Sequence, residues 1–256
     1  MRPRLIHLPV AIAFLLMYLP LVSVVLFSFN ASSAPVMPID HLTGDWYIQA
    51  AEDSGIREAV LNTLKLGLAT VVICLLLATG GALGLRGRRI PGRGAYEFVI
   101  GMPFLLPEIV TGLALLTFFT QMHVPLSLTT ILFGHVLFCT AAAFRVIAAR
   151  LESMPLSLED AARDLGRGPF GAFWYVTLPG LRSALITSAV LVFALSFDQT
   201  VITVLVAGTQ NTLPTLLWAK MRIGFTPELN ALATIILLVT ILLAVPVALR
   251  ARNAVM

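Results

Sequence analysis

Glu108 and Asp198 each interrupt a run of apolar residues long enough to cross a lipid bilayer. A charge at such depth costs at least about 2.5 kcal/mol even on the lenient insertion scale, so it normally faces a cavity or a partner. Two chemistries fit. With the amide of Gln199 beside Asp198, the acids would draw a cationic solute into a pathway. Alternatively they would bond to hydroxyls such as Thr111 or Thr200, or to backbone freed by Pro103 and Pro107, and hold helices together. Glu108 lies eleven residues beyond Glu97 and Asp198 sixteen beyond Arg182. On straight helices those separations are about 16 Å and about 24 Å, which puts the acids in the middle and the outer half of the bilayer.

The remaining reactive groups suggest little catalysis. Glu152, Glu159, Asp160 and Asp164 share a polar stretch and would be the acids of a membrane enzyme such as a transferase, but no histidine or cysteine stands near them. Acid pairs on a helix usually form a solvated face. His135 sits alone in an apolar run, His41 and His123 are isolated, and Cys74 and Cys139 fall mid-run where they would pack. No metal-ligand spacing connects them, so neither a metal nor another cofactor is expected on this chain. Neither lysine, Lys65 or Lys220, completes a Gly-x-x-x-x-Gly-Lys-Ser/Thr phosphate loop. Energy for any work would come from a partner.

These groups must be positioned by elements that live in lipid. Of 256 residues 58% are hydrophobic and 12% charged, against roughly 25% charged in soluble domains. Six runs approach the roughly 20 residues that span a bilayer: 8–29, 60–85, 96–121, 127–149, 181–207 and 229–249. They lack the alternation of barrel strands, so an all-α membrane protein with six transmembrane helices is predicted. Arg2 and Arg4 precede the first run as in a secretory signal, but 8–29 exceeds the usual apolar length of one and reads as a retained span. The organisation expected is a first helix and outer loop over 1–59, a five-helix core over 60–250, and within it a loop at 152–179.

Charge orients the chain. Thirteen of seventeen basic residues fall in alternate loops: Arg2 and Arg4; Arg86, Arg88, Arg89 and Arg93; Arg145, Arg150, Arg163, Arg167 and Arg182; Arg250 and Arg252. The other side carries Arg57, Lys65, Lys220 and Arg222. Both termini are therefore expected in the cytoplasm. The net charge of +4 comes from these clusters, and without interleaved aromatics they do not make a nucleic-acid groove.

Inside the spans, Gly80 and Gly84 form a small-residue pair with Gly81 between them, suited to close helix approach. Pro20, Pro103, Pro107 and Pro246 each remove a backbone donor and should kink their helices. The outer segment 30–59, with Pro35, Pro38, Asp40, Asp45, Trp46, Tyr47, Glu52 and Asp53, reads either as an ordered loop that meets an extracytoplasmic partner or as a passive connector. Trp46 and Tyr47 would anchor at the membrane interface.

The loop between spans four and five is strongly patterned. Ser157 and Asp160 have the spacing of a capping box, acids stand near the helix start, and Gly166 is placed to end the helix in a left-handed cap. A second short helix would start at Pro169 and run through Phe170, Phe173, Trp174 and Val176 towards Leu178-Pro179. The pair would make either a knob for a cleft on another protein or an amphipathic hairpin on the headgroups.

This stretch resembles the EAA loop of ABC importer permeases, Glu-Ala-Ala, three residues, Gly, nine residues, Ile-x-Leu-Pro. The chain offers Asp160-Ala161-Ala162, Gly166 and Val176-Thr177-Leu178-Pro179 at every spacing, with Asp160 for Glu and Val176 for Ile. Glu159, next to the shorter Asp160, would substitute for that Glu. The resemblance covers most of the chain and is to permeases of the spermidine/putrescine type. It rests on Trp46-Tyr47, Asn62-Thr63-Leu64, Pro107-Glu108-Ile109-Val110-Thr111-Gly112, Ser196-Phe197-Asp198-Gln199 and Pro227-Glu228-Leu229-Asn230-Ala231-Leu232-Ala233-Thr234. Many relatives carry a second acid where this chain has Gln199, a departure that loosens the tie to polyamines.

The resemblance implies a MetI-like permease domain in a bacterial inner membrane, with spans two to six as the transporter core and span one packed outside. It implies no ATPase of its own, and ABC ATPase subunits that bind ATP and Mg and receive residues 157–179, among them Glu159, Asp160, Ala161, Ala162, Gly166, Leu178 and Pro179. A second related permease subunit and a periplasmic or lipid-anchored solute-binding protein complete the expected partners. The solute implied is a polyamine or other small cation; iron, sulfate or molybdate, and an amino-acid derivative are the rival cargoes.

Overall fold

The structure, a computed structural model, describes residues 4–32, 39, 41–87, 91–224 and 226–253; for 4–8, 10, 11 and 243–253 it describes the backbone alone. Arg2, Pro35, Pro38, Asp40, Arg88 and Arg89, and the side chains of Arg4, Pro246, Arg250 and Arg252, lie outside the described residues. The elements are α1 Arg4–Phe27, α2 Asp45–Glu52, α3 Ser54–Leu85, α4 Arg93–Leu105, α5 Glu108–Gln121, α6 Leu128–Ser153, α7 Ser157–Asp164, α8 Pro169–Ala172, a π-turn Phe173–Thr177, α9 Leu178–Asp198, α10 Val201–Val206, α11 Leu213–Ile223 and α12 Pro227–Asn253. Among the described residues the only extended pairing is one bridge between Asn30 and Leu42.

Helices α3 and α6, and the continuous stretch Pro169–Asp198, are long and apolar enough to cross a bilayer. Two expected spans are broken. The run 96–121 is the pair α4 and α5, bent by 99°, because Pro107 offers no N–H and holds Leu106 extended at φ −78°, ψ 146°. The straight-helix depth of Glu108 therefore does not apply: Glu108 opens a new helix. The run 181–207 breaks at Gln199 and Thr200, without a proline. Hydroxyls take over carbonyls left by that break: Thr200 donates to Asp198 O at 3.1 Å and Thr203 to Gln199 O.

The described residues of 1–58 and 216–242 form one compact unit, and those of 59–215 with 243–256 another. In the larger unit α6 packs against α4, α9 and α10, while α5 packs on α10. Ile131, Ile147, Leu151, Leu181, Val192, Ile202 and Val206 are fully buried there. The short α10 fits because Gly112 and Gly134 leave space for it: a Cβ on either would stand 2.6 Å from Leu205 Cδ1 or 2.7 Å from Ile202 Cγ2. Gly80 and Gly84 meet no described neighbour, and the close approach falls at Gly81, against Tyr96 and Phe144. Buried His135 bonds Ser196 and Thr203, each at 2.8 Å, and so ties α6 to α9 and α10.

In the smaller unit, Trp46 donates its indole N–H to Asn30 O at 2.8 Å and the Tyr47 and Ser28 hydroxyls pair at 2.6 Å. Both polar atoms fix α2 to the end of α1. Asp53 caps α3, accepting from the Gly55 N–H at 2.7 Å and the Ile56 N–H at 3.2 Å. Lys220 stands 3.6 Å from Asp53 and 2.6 Å from Glu228.

Candidate functional site

The patterned loop folds as a helix with a sharp end. Gly166 takes φ +81°, Arg167 N–H bonds Ala162 O at 3.0 Å, and Gly166 N–H bonds Arg163 O at 2.9 Å. This is the six-to-one and five-to-two pattern of a Schellman cap, the left-handed ending expected at Gly166. The start differs from expectation. Helical geometry begins at Leu156, with φ −62° and ψ −30°, and no side-chain cap bond forms. The carbonyls of Pro155 and Leu156 already accept from Leu158, Glu159 and Asp160, so Ser157 lies inside the helix and the capping box is absent.

The second expected helix does not stop at Leu178-Pro179. Pro169 opens it as anticipated, but it passes through the π-turn directly into α9. In that turn Leu178 N–H reaches back to Phe173 O, and Pro179, which has no N–H to give, falls in the first turn of α9. The loop is thus continuous with a transmembrane helix.

Its two neighbouring acids point to different places. Glu159 accepts from the Arg86 guanidinium and from the Thr177 hydroxyl, and its side chain is 18% exposed. Asp160 is 67% exposed, with Arg163 at 4.0 Å. Ala162 is buried, whereas Ala161 and Pro179 are exposed and Leu178 is half-buried. The outer surface of the loop is apolar: Leu165 is 85% exposed and Phe170 76%, and Trp174 and Tyr175 are also exposed. Phe170 stacks on Trp174 at 6.1 Å, and Arg167 lies 4.1 Å from the Tyr175 ring centroid. An apolar, aromatic patch rimmed by charge is the composition of a protein-docking surface.

The second assembly is a cavity of about 680 Å³ where the two broken helices meet. Glu108, Asp198, Gln199 and Thr200 line it together with Phe104 and Phe138. Neither carboxylate makes a hydrogen bond or ion pair among the described residues: Thr111 Oγ1 is buried without a partner, and Thr200 bonds the Asp198 carbonyl. The expected alternative, acids tied to Thr111 and Thr200, is not what forms. Gln199 is 4% exposed and its Oε1 has no donor. No basic side chain among the described residues lines this cavity.

The structure therefore brings together the three residues suspected of lining a pathway, and groups the loop residues separately. Sequence reading missed Arg86 and Thr177, the partners of Glu159. Arg86 counted only as one more orienting charge, and a threonine inside the Val-x-Leu-Pro motif carries no signal of its own. The polar triplet Asp198-Gln199-Thr200 in an apolar run was the available signal for the helix break.

Residues 75–253 match the family model described as binding-protein-dependent transport system inner membrane component. The chain is 35% identical over 234 residues to the putrescine transport system permease protein PotI of Escherichia coli, covering 88% of this chain and 83% of that protein. It is 28% identical over 241 residues to the spermidine/putrescine transport system permease protein PotC of the same organism, covering 93% and 90%. Among solved structures, it matches a chain of a bacterial ABC transporter involved in the import of the acidic polysaccharide alginate with a TM-score of 0.73 at 18% identity, covering 97% of this chain and 94% of that one. The MetNI methionine ABC transporter matches with a TM-score of 0.64 at 16% identity, covering 84% and 100%.

Proposed function

Since the chain belongs to the binding-protein-dependent transport system inner membrane component family, we propose that it is the transmembrane channel subunit of an ABC importer for putrescine or a similar small cation. Its nearest supports are the polyamine permeases that it resembles along most of its length. The observation that carries the solute reading is the cavity: among the described residues it has two carboxylates without partners, one amide oxygen without a donor and no basic side chain on its lining. Each ammonium group has three N–H donors and no acceptor, so a diamine offers what this lining lacks. An anion such as sulfate would meet like charge.

Power comes from a partner. ATP and Mg are handled by ATPase subunits that receive the face of α7, Leu165, Phe170 and Trp174, with Asp160 outward and Glu159 inward. This chain holds no phosphate loop and binds no cofactor in this reading. A second, related permease subunit completes the channel and a solute-binding protein delivers cargo from outside. Both termini are cytoplasmic, residues 1–59 precede a five-helix core at 60–250, and residues 152–179 are its coupling loop. Support for this orientation comes from Arg93 pairing with Glu152 and Arg86 with Glu159, which puts two arginine-bearing connections at one end of the larger unit.

The test is uptake into proteoliposomes holding the complete transporter. ATP-dependent accumulation of putrescine, with none of sulfate, is the expected result. Glu108→Gln and Asp198→Asn should each lower putrescine uptake about tenfold or more while leaving assembly with the ATPase intact, since each removes a charge from a site of low polarity. Sulfate accumulation, or loss of assembly in both variants, would overturn the reading.

A further inference from the structure

Three parts of the fold converge on one carboxylate. Glu159 on α7 accepts from Thr177 of the π-turn and from Arg86, the first residue after α3. The second Arg86 nitrogen, Nη2, donates to Met154 O at 3.1 Å, where α6 ends. The Arg86 side chain is 8% exposed. Its third nitrogen, Nε, is buried with no acceptor among the described residues, so within that set the ion pair and the Met154 carbonyl hold the guanidinium. Leu156 packs over Gly87, whose φ is +64° and where a Cβ would stand 3.1 Å from Leu156 Cδ1.

Chain connectivity explains why this matters. The loop is covalently continuous with α6 through 154–156 and with α9 through the π-turn, so these helices follow any displacement of α7. Helix α3, 32 residues long, has no such connection. We infer that the Arg86–Glu159 pair, with Thr177, is the transmission contact that couples movement of the loop helix α7 to the transmembrane helix α3. Energetics favour this duty over a stabilising one. Removing two charges from water offsets most of their attraction, so a nearly buried pair adds little net stability and is best attested as a device that fixes register. Here the register is that of the α3 end against the loop.

The inference rests on the proposed docking of an ATPase on the loop, and the experiment separates the two. The complete transporter, reconstituted with its ATPase, second permease and binding protein, is assayed for ATP hydrolysis and for putrescine uptake in the same vesicles. Wild-type uptake that does not depend on ATP would sink the docking proposal and leave nothing to transmit. If wild type is ATP-driven, Arg86→Gln and Glu159→Gln should still copurify with the ATPase and hydrolyse ATP. Their putrescine uptake per ATP should fall roughly fivefold or more, the lower range of couplings between sites. The exchange Arg86→Glu with Glu159→Arg should restore part of that ratio, which a purely structural defect would not. An unchanged uptake-to-hydrolysis ratio in assembled single variants overturns the inference. So does loss of assembly in both single variants and the exchange, which would make the contact a folding element.

Discussion

Glu108 and Asp198 acquire meaning from what surrounds them. Their types and depth pointed to a pathway or to helix pinning, and the absence of hydroxyl partners on one shared cavity favours the pathway. Asp53 shows the opposite case, a carboxylate whose partners are all in place. The Ile56 backbone N–H, chiefly, then the Gly55 N–H and the Lys220 ammonium hold its carboxyl below the usual value against a counteracting desolvation. A depressed acid contributes stability above its unfolded pKa and loses it as pH falls through the folded one. The thermal midpoint in detergent should thus decline once pH drops below about 4, and Asp53→Ala should flatten that limb. At 40% exposure, water screens the Lys220 pair. The loss at pH 7 should therefore be that of a helix cap, about 1 kcal/mol by thermal or denaturant unfolding, with Asp53→Asn close to wild type.

At the scale of elements, the loop helix is defined by its ending. No atom of the described residues lies within 4 Å of a Cβ placed on Gly166, so among them only its φ of +81° resists a side chain. Gly166→Val should cost about 1–2 kcal/mol of local order, read as roughly tenfold weaker ATPase binding, whereas Gly166→Asn should be mild because Asn tolerates the left-handed region. Breaks in α4–α5 and α9–α10 matter equally. They set Glu108 at a helix start and Asp198 at a helix end, so both acids line the opening between elements. The first break was announced by Pro107, whereas the second had only the polar triplet Asp198-Gln199-Thr200 as its signal. The second depends on Thr203 and Thr200 capturing carbonyls, a local competition that hydropathy does not register.

For the whole molecule, the exposed aromatic face of the loop predicts where partner binding concentrates. Phe170→Ala, with the Phe170–Trp174 stack removed, should weaken copurification with the ATPase about 30-fold, the range of a single interface hot spot. Solubilised monomer stability should stay within about 0.5 kcal/mol of wild type, as for exposed sites generally. A larger drop in the monomer would show that the stack serves the fold instead.

By itself the sequence determined the helical class, the apolar runs from which the long helices are built and the pattern of the loop motif. These depend on composition, periodicity and spacing along one chain, which lipid and backbone hydrogen bonding constrain directly. Only tertiary structure decided that Glu159 turns inward to Arg86 and Asp160 outward, that α8 flows into α9, and that Glu108, Asp198 and Gln199 share one cavity. Such outcomes depend on which helices meet and on where a broken helix redirects its side chains. Groups 73 or 90 positions apart, such as Arg86 and Glu159 or Glu108 and Asp198, are unrelated until packing brings them together.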